Sequence, residues 1–226
     1  MHDLLYVFDA YCGWCYGMAP ALHELAADDD IRITVVHGAL FSGANSAPIG
    51  RFGHIPGANA RIAELTGVTF GPDYERLLSE GRTLLDSDAA ARGLAALRAS
   101  AGEPRALEMA GAMQTAFYRD GRSLSDAETY AVIAVDRGLD ADTVRRQLDD
   151  AMIAAQARRD QEWLAELGVH SYPMLLLRRG DELVQIGSPT ASAAQLRAQI
   201  TAAARIVTAP QEATAGLACS PDGCAD

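Results

Sequence analysis

The residues of this chain best suited to covalent chemistry are its four cysteines, which fall into two pairs, Cys12-Gly-Trp-Cys15 and Cys219-Ser-Pro-Asp-Gly-Cys224. Cys12 follows a short apolar run, residues 4–9 (LLYVFD). It opens a stretch, residues 12–27, whose apolar Trp14, Met18, Leu22 and Leu25 recur at helical spacing. A cysteine at the start of a helix meets unpaired backbone N–H groups and the positive end of the helix dipole, and both favour a thiolate. Cys15 stands almost one turn further on, within reach of a disulfide formed at Cys12. The spacing therefore predicts thiol–disulfide exchange, with Cys12 as an accessible nucleophile and Cys15 as the resolving thiol. A C-x-x-C pair also fits two inert buried thiols or half of a zinc site.

A second segment, Gly168-Val-His-Ser-Tyr-Pro-Met174, leads into a strand-like run. An X–Pro bond carries only a small penalty for the cis form. A cis bond at Tyr172–Pro173 would turn the chain sharply and leave a backbone edge able to pair with an extended substrate. A trans proline at the start of a strand is the plainer alternative. Trp14, between the two cysteines, is expected to be exposed, and Trp14 and Tyr172 are the candidate substrate contacts. His170, close to Pro173, and Asp9, three residues before Cys12, are candidates for tuning the thiols; Asp9 fits a helix-cap or strand-end role equally well. His37 and His54 flank or lie in a Gly-rich loop and read as structural or solvated. Tyr16 and Met18 read as packing residues.

The tail pair admits three readings. Pro221, Asp222 and Gly223 form a turn that would bring Cys219 and Cys224 together as an auxiliary dithiol, and the chain from Arg205 to Cys219 can span about 46 Å when extended. The pair also fits incidental surface thiols, or a four-thiolate zinc site shared with Cys12 and Cys15. No spacing of His residues suits a metal, no Ser/His/Asp order is present, and no glycine pattern suits a nucleotide. No cofactor and no metal are therefore expected.

Composition narrows the classes. The chain has 226 residues, 49% of them hydrophobic, and a formal net charge of −11. That length is one large domain or one domain with an insertion, long enough to fold without disulfide staples. All 19 basic residues are Arg, which removes Schiff-base chemistry and the phosphate loop that needs a Lys. The acidic balance argues against nucleic acid, which requires clustered cations. No apolar run is long enough to span a membrane, and the N-terminus carries no basic region before an apolar one. A cytoplasmic location is expected, where paired cysteines are more often catalytic, redox-sensing or metal-binding than structural.

The elements that must position these residues alternate. Residues 4–9, 12–27 and 31–37 predict strand, helix and strand, a βαβ unit with a right-handed crossover. Residues 38–57, rich in glycine, read as a loop. Residues 58–167 read as helical and nearly strand-free, with glycines at helix ends, a capping box from Ser125 to Glu128, and a break near Asp149 or Asp150. Residues 174–178 and 183–186 predict a hairpin, and residues 191–206 a final helix. The expected organisation is an α/β unit in βαβ…ββα order over residues 1–57 and 168–207, an all-helical insertion over 58–167, and a mobile tail over 208–226.

The YVFDAYCGWCYG start, the helical block and the GVHSYPMLLL segment together resemble the DsbA-like thioredoxin superfamily, and within it the FrnE-like, predicted cytoplasmic dithiol-disulfide isomerases. The AFYRDGRSLSD and VDRGLD segments are similar to the insertion of those proteins. The resemblance implies a thioredoxin fold and thiol–disulfide oxidoreductase or isomerase activity. Disulfide-containing proteins or small thiols, glutathione among them, would be the substrates. Cys12 matches the nucleophile, Cys15 the resolving cysteine and Pro173 the cis-proline. Two departures bear on the reduction potential: the Gly-Trp dipeptide lacks the His of some relatives, and Tyr172 stands where smaller residues are frequent. Kappa-class glutathione transferases and 2-hydroxychromene-2-carboxylate isomerases are similar in organisation but use a serine at the Cys12 position. A redox sensor or zinc-binding adaptor is the non-enzymatic alternative.

Overall fold

The computed structural model describes residues 1–206; Cys219, Cys224 and the predicted mobile tail lie outside the described residues. In chain order the first elements are strand β1 (His2–Phe8), helix α1 (Gly13–Leu25) and strand β2 (Ile31–His37). A short strand β3 (Ala47–Pro48) follows, then α2 (Ile55–Thr66), α3 (Pro72–Glu80) and a second short strand, β4 (Leu84–Leu85). Helices α4 (Ser87–Ala101), α5 (Ala106–Tyr118), α6 (Ala127–Asp136), α7 (Ala141–Leu148) and α8 (Ala151–Glu166) complete the helical block. The chain then returns to β5 (Met174–Arg179), β6 (Glu182–Ile186) and α9 (Ala193–Ile206). This is the thioredoxin-like βαβ…ββα order with helices inserted between its halves.

Strand β1 is a nearly continuous apolar run because it lies inside a four-stranded sheet of order β2-β1-β5-β6 that is covered on both faces. The period of two separates its residues cleanly. Leu4, Tyr6 and Phe8 join the main core with Val35, Leu175 and Leu177, and with Met18 and Leu22 of α1. Leu5 and Val7 face the other way, onto Val36, Leu176 and Leu164 of α8. β1 pairs parallel with β2, Phe8 opposite His37, and antiparallel with β5, Val7 opposite Met174. That register decides where the chemistry sits. The chain leaves β1 toward Cys12 at the same end of the two central strands at which it enters β5 from Pro173.

The helical block shares the main core: Phe117, Tyr118 and Tyr74 pack with Tyr11 and Phe41. Four of its helices start at an aspartate, Asp86, Asp126, Asp140 and Asp150, each accepting a backbone N–H from the first turn. Ser125 was the expected start of a capping box; the observed cap is Asp126, one residue later, whose carboxylate takes the Glu128 N–H. The predicted break in the long final helix falls at Asp149 and Asp150.

Two further expectations need correction. The loop read over residues 38–57 contains β3, which pairs with β4 inside the segment read as nearly strand-free. Strands of two residues are too short to show an alternating pattern. Helix α2 begins at Ile55, before the expected boundary, with Pro56 in its first turn where a missing N–H costs nothing.

The packing of α4 on α6 needs a bare backbone at Gly93, where an added Cβ would fall 2.0 Å from the Tyr130 ring. Replacing Gly93 by Ala improves helix propensity yet overpacks this contact, so we expect Gly93→Ala to lose about 1–3 kcal/mol of stability. Urea unfolding checks this, and an unchanged midpoint would contradict the packing described.

Candidate active site

The turn between β1 and α1 is held from below by two buried polar residues. Asp9, 0% exposed, accepts the N–H groups of Tyr11 and Leu40 through separate carboxylate oxygens, both at 3.0 Å. Its carbonyl accepts the Cys12 N–H at 3.0 Å. His37, at the end of β2, accepts the Ala10 N–H at Nε2, 3.0 Å away. An N–H can only donate, so the proton of the neutral ring is assigned to Nδ1, which faces the Gly38 carbonyl at 2.8 Å. Asp9 and His37 thus tie the cysteine-bearing turn to the loop after β2, a structural use for both.

Cys12 is the N-cap of α1. Its extended backbone and its sulfur, which accepts the Cys15 N–H at 3.4 Å, occupy the place that aspartates hold in α4, α6, α7 and α8. When protonated, the same sulfur donates to the Tyr172 carbonyl at 3.5 Å. The Tyr172–Pro173 bond is cis, as the sequence predicts. Cys15 stands below, 0% exposed, and burial, followed by the nearby Cys12 sulfur, pushes its thiol well above the ordinary thiol range. Both cysteines are free thiols. Their environments differ in kind: one sulfur stands at a helix N-terminus and accepts a backbone N–H, while the other is fully buried.

The expectation of an openly accessible Cys12 is corrected, since only 6% of the residue is exposed. The Tyr172 carbonyl lies against its sulfur, and the residue forms part of the wall of a small cavity. Trp14, expected to be exposed, is partly buried against the main core and lines the same cavity. The cavity, about 150 Å³, is bounded mainly by apolar side chains, Phe41, Ile49, Ile55, Ile62 and Leu85 among them.

The proline loop is fixed through its tyrosine. The Tyr172 hydroxyl accepts the Ala39 N–H at 2.9 Å, and its ring lies directly over Gly38, where a Cβ would come within 2.1 Å of it. Gln161 of α8 donates to the Gly38 carbonyl at 2.9 Å, so the helical block braces the same point.

Cys12, Cys15, Asp9, Trp14, Tyr172 and Pro173 are therefore brought together at one end of the central strands β1 and β5. His170 is not: it is exposed and makes no hydrogen bond to either sulfur. His54, read as structural or solvated, lines the cavity. The tail pair lies outside the described residues. Among the described residues no cluster of three or more His, Cys, Asp or Glu could hold a metal ion. None of their helices is long and apolar enough to cross a membrane.

Several neighbours of the sulfurs were not foreseen from sequence. Tyr6, fully buried, donates to the Cys15 carbonyl at 3.3 Å; its place two residues from Leu4 and Phe8 on the α1-facing side of β1 was a usable signal. Asn59, whose amide donates to the Tyr74 hydroxyl at 3.0 Å, and Tyr118 reach the site from α2 and α5, and nothing local in the sequence announces them. Tyr16 and Met18 prove to be packing residues: Tyr16 stacks on Tyr118 at 4.7 Å, and Met18 is buried.

A family model described as the DSBA-like thioredoxin domain matches residues 4–212. No curated protein matches the chain. Among solved structures, the cytosolic disulfide reductase DsbM from Pseudomonas aeruginosa is 23% identical, with a TM-score of 0.77 over 90% of this chain and 99% of its own. The same protein with GSH gives 23% identity and a TM-score of 0.74 over 90% of this chain and 99% of its own. A 2-hydroxychromene-2-carboxylate isomerase is 16% identical, with a TM-score of 0.63 over 91% and 96%. At these identities the likeness is one of fold.

Two outcomes test this geometry. Gly38→Ala must drive the Tyr172 ring off its seat, and we expect a loss of about 1–3 kcal/mol in chemical unfolding. Tyr172→Phe, which removes only the acceptor for the Ala39 N–H, should lose about 1 kcal/mol; wild-type stability in both variants would contradict the seating. The raised Cys15 thiol has a sign that can be read by titration. In a Cys219→Ser/Cys224→Ser background, thiolate absorbance should show a step above about pH 8.5 that disappears in Cys15→Ser. The unfolded chain releases that proton at the ordinary value. The contribution of this thiol to stability is therefore fully present below about pH 8.5 and is lost as pH rises through its raised folded value. A Cys15 step at or below the ordinary value would refute the assignment.

Proposed function

The chain belongs to the DSBA-like thioredoxin domain family, and on that footing we propose that it is a thiol–disulfide oxidoreductase or isomerase in which Cys12 is the nucleophile and Cys15 the resolving thiol. The observation that carries this reading is the contrast between the two sulfurs. Cys12 caps α1 and receives a backbone N–H. Cys15 is fully buried, with its thiol pushed up. A dithiol built this way reacts in order, outer sulfur first.

In the reducing direction the Cys12 thiolate attacks one sulfur of a substrate disulfide. A Cys12–substrate disulfide forms, the substrate S–S bond breaks, and the other substrate sulfur leaves with the electron pair. Cys15 then gives up its proton to the released substrate thiolate, and the Cys15 thiolate attacks the Cys12 sulfur. The Cys12–Cys15 disulfide forms and the second substrate thiolate departs, so the substrate gains two electrons and the active site loses two. Run backwards, the same steps oxidise a substrate dithiol. Stopped after the first step and resolved by another substrate thiol, they isomerise one.

Pro173 and Tyr172 form the edge against which an extended substrate lies, the Tyr172 carbonyl being already beside the Cys12 sulfur. Trp14 meets the substrate at the cavity rim. Asp9 acts on the Cys15 thiol from below, its charge raising that thiol and its backbone hydrogen bond lowering it, and modulates the proton transfer of the second step. Disulfide-containing proteins and small thiols such as glutathione are the proposed partners; the GSH bound to the Pseudomonas aeruginosa reductase supports the second class. The cytosolic origin of that relative supports a cytoplasmic setting, and Cys219 with Cys224 would serve there as an auxiliary dithiol. Residues 1–57 and 168–207 would form the unit that carries the chemistry, with 58–167 as its helical insertion. A glutathione-dependent isomerase reading has the fold likeness to the chromene isomerase behind it, but the intact Cys12–Cys15 pair weighs against it.

We expect Cys12→Ser to lose insulin reduction and the refolding of a scrambled protein entirely. Cys15→Ser should accumulate a covalent Cys12–substrate disulfide detectable by mass. Full activity in Cys12→Ser would refute the proposal, and glutathione-dependent isomerisation that survives in Cys15→Ser would favour the other reading.

A further inference from the structure

A second concavity, of about 660 Å³, lies between α1 and α5 and is lined by neither Cys12 nor Cys15. Helix α1 contributes one face to it, from Tyr16 to His23, and the end of α2 with the turn that follows contributes residues 66–69. The α5 residues that line it run from Glu108 to Thr115, and Arg119 follows where that helix ends. From Glu108 to Arg119 the helix axis advances about 16 Å. The space is therefore a groove, long in one direction and open to solvent along it.

Arg119 and Arg137 stand at its two ends. Arg137 belongs to the end at which α5 starts, since its carbonyl accepts a hydrogen bond from Arg105 at 3.0 Å. Both arginines are exposed, and neither forms an ion pair among the described residues, whereas Arg98, Arg105 and Arg145 each hold a carboxylate. Their sequence neighbours Asp120 and Asp136 do not line the groove. Glu108 does, but two hydrogen bonds from Arg105, at 2.7 and 2.8 Å, already engage it. Between the two arginines lies Gln114, only 2% exposed, which also lines the groove. Its side-chain amide N–H group has no hydrogen-bond partner among the described residues. A buried donor left unpaired is rare in a native fold and calls for an acceptor from outside it.

We propose that this groove binds an extended acidic segment of a partner protein, four or five residues long, with a carboxylate side chain toward each end and a backbone carbonyl accepting from Gln114. Carboxylates are selected because the two uncommitted cations are arginines, whose planar forks hold a carboxylate at two points. The length selects a peptide. Four steps of extended chain span about 13–14 Å, close to the distance the groove covers, whereas a four-carbon dicarboxylate reaches one arginine only. Ala19, Gly67, Gly111 and Ala112 keep the walls shallow enough for a backbone to lie along them. Two arginines are too few to neutralise a run of phosphates, which sets a nucleic acid apart from this occupant.

The test is isothermal titration calorimetry of the full chain with the blocked peptide acetyl-Asp-Gly-Ser-Gly-Asp-amide at low salt. The peptide should bind, and more weakly as salt is raised. Asn in place of both Asp residues should weaken binding about fivefold or more. Arg119→Gln and Arg137→Gln should each weaken it about two- to fivefold, and the double variant should no longer distinguish Asp from Asn. Both arginines are exposed, so neither change removes core packing. Gln114→Leu should weaken both peptides about two- to tenfold and keep the preference for Asp. Arg159→Gln, on α8 and outside the groove, should change nothing. Failure of the acidic peptide to bind, equal affinity for the Asp and Asn peptides, or an unchanged affinity in the double arginine variant would each overturn the proposal. So would succinate, glutathione or a single-stranded oligonucleotide that binds there as tightly as the peptide. No thiol takes part in the titration, so its outcome is independent of the proposed exchange chemistry.

Discussion

A single hydrogen bond organises the chemistry of this molecule: the Cys15 N–H pointing at the Cys12 sulfur across the first turn of α1. Four other helices fill that position with an aspartate, whose charge is stabilised by the exposed N–H groups and the helix dipole. A carboxylate there contributes about 1 kcal/mol to the helix. A cysteine gives up much of that contribution. In return it places a reactive atom where the fold already accommodates negative charge. The slot is a structural one put to chemical use.

Everything else near the site keeps that slot aimed and its two sulfurs unequal. The register of β1 with β2 and β5 delivers Asp9 and Pro173 to one end of the two central strands. Asp9 and His37 hold the intervening turn through backbone N–H groups, and neither side chain reaches solvent appreciably. Tyr6 holds the Cys15 carbonyl from beneath. Aromatic contacts from the helical block grip both flanks of the pair: Tyr11 meets Phe117 edge to face at 4.9 Å, and Tyr16 stacks on Tyr118. Cys15 is then far enough inside that its thiol resists ionisation.

How much of this could be read from sequence depends on distance along the chain. The β1–α1–β2 unit, the β5–β6 hairpin and the C-x-x-C at a helix start are local patterns, and apolar periodicity with turn residues was enough to place them. The Tyr172–Pro173 junction could be paired with Cys12 only because the strand order brings β5 beside β1. What could not be read is assembled from far apart. The seat of Tyr172 on Gly38 joins residues separated by more than half the chain, and the bond from Gln161 to the Gly38 carbonyl adds a third segment. Exposure was misjudged for a related reason. Cys12 and Trp14 look like the rim of an open site when only their neighbours in sequence are counted, but the proline loop lies against one and the helical block surrounds the other.

The helical insertion has a physical role beyond bracing. The sulfurs, the Asp9–His37 platform and the proline loop all come from the two halves of the thioredoxin-like sheet and the turns at its edge. Most of the cavity beside Cys12 comes from elsewhere, namely residues 40–62 with Tyr74, Leu85, Phe117 and Tyr118. Phe117 and Tyr118 at the end of α5 wall that cavity and also meet Tyr11 and Tyr16 on either side of the cysteine pair. The same helix therefore shapes the space beside Cys12 and holds the turn that carries it, so a substitution at either residue acts on both. That coupling follows from packing a helical block, inserted between β2 and β5, directly against the turn between β1 and α1.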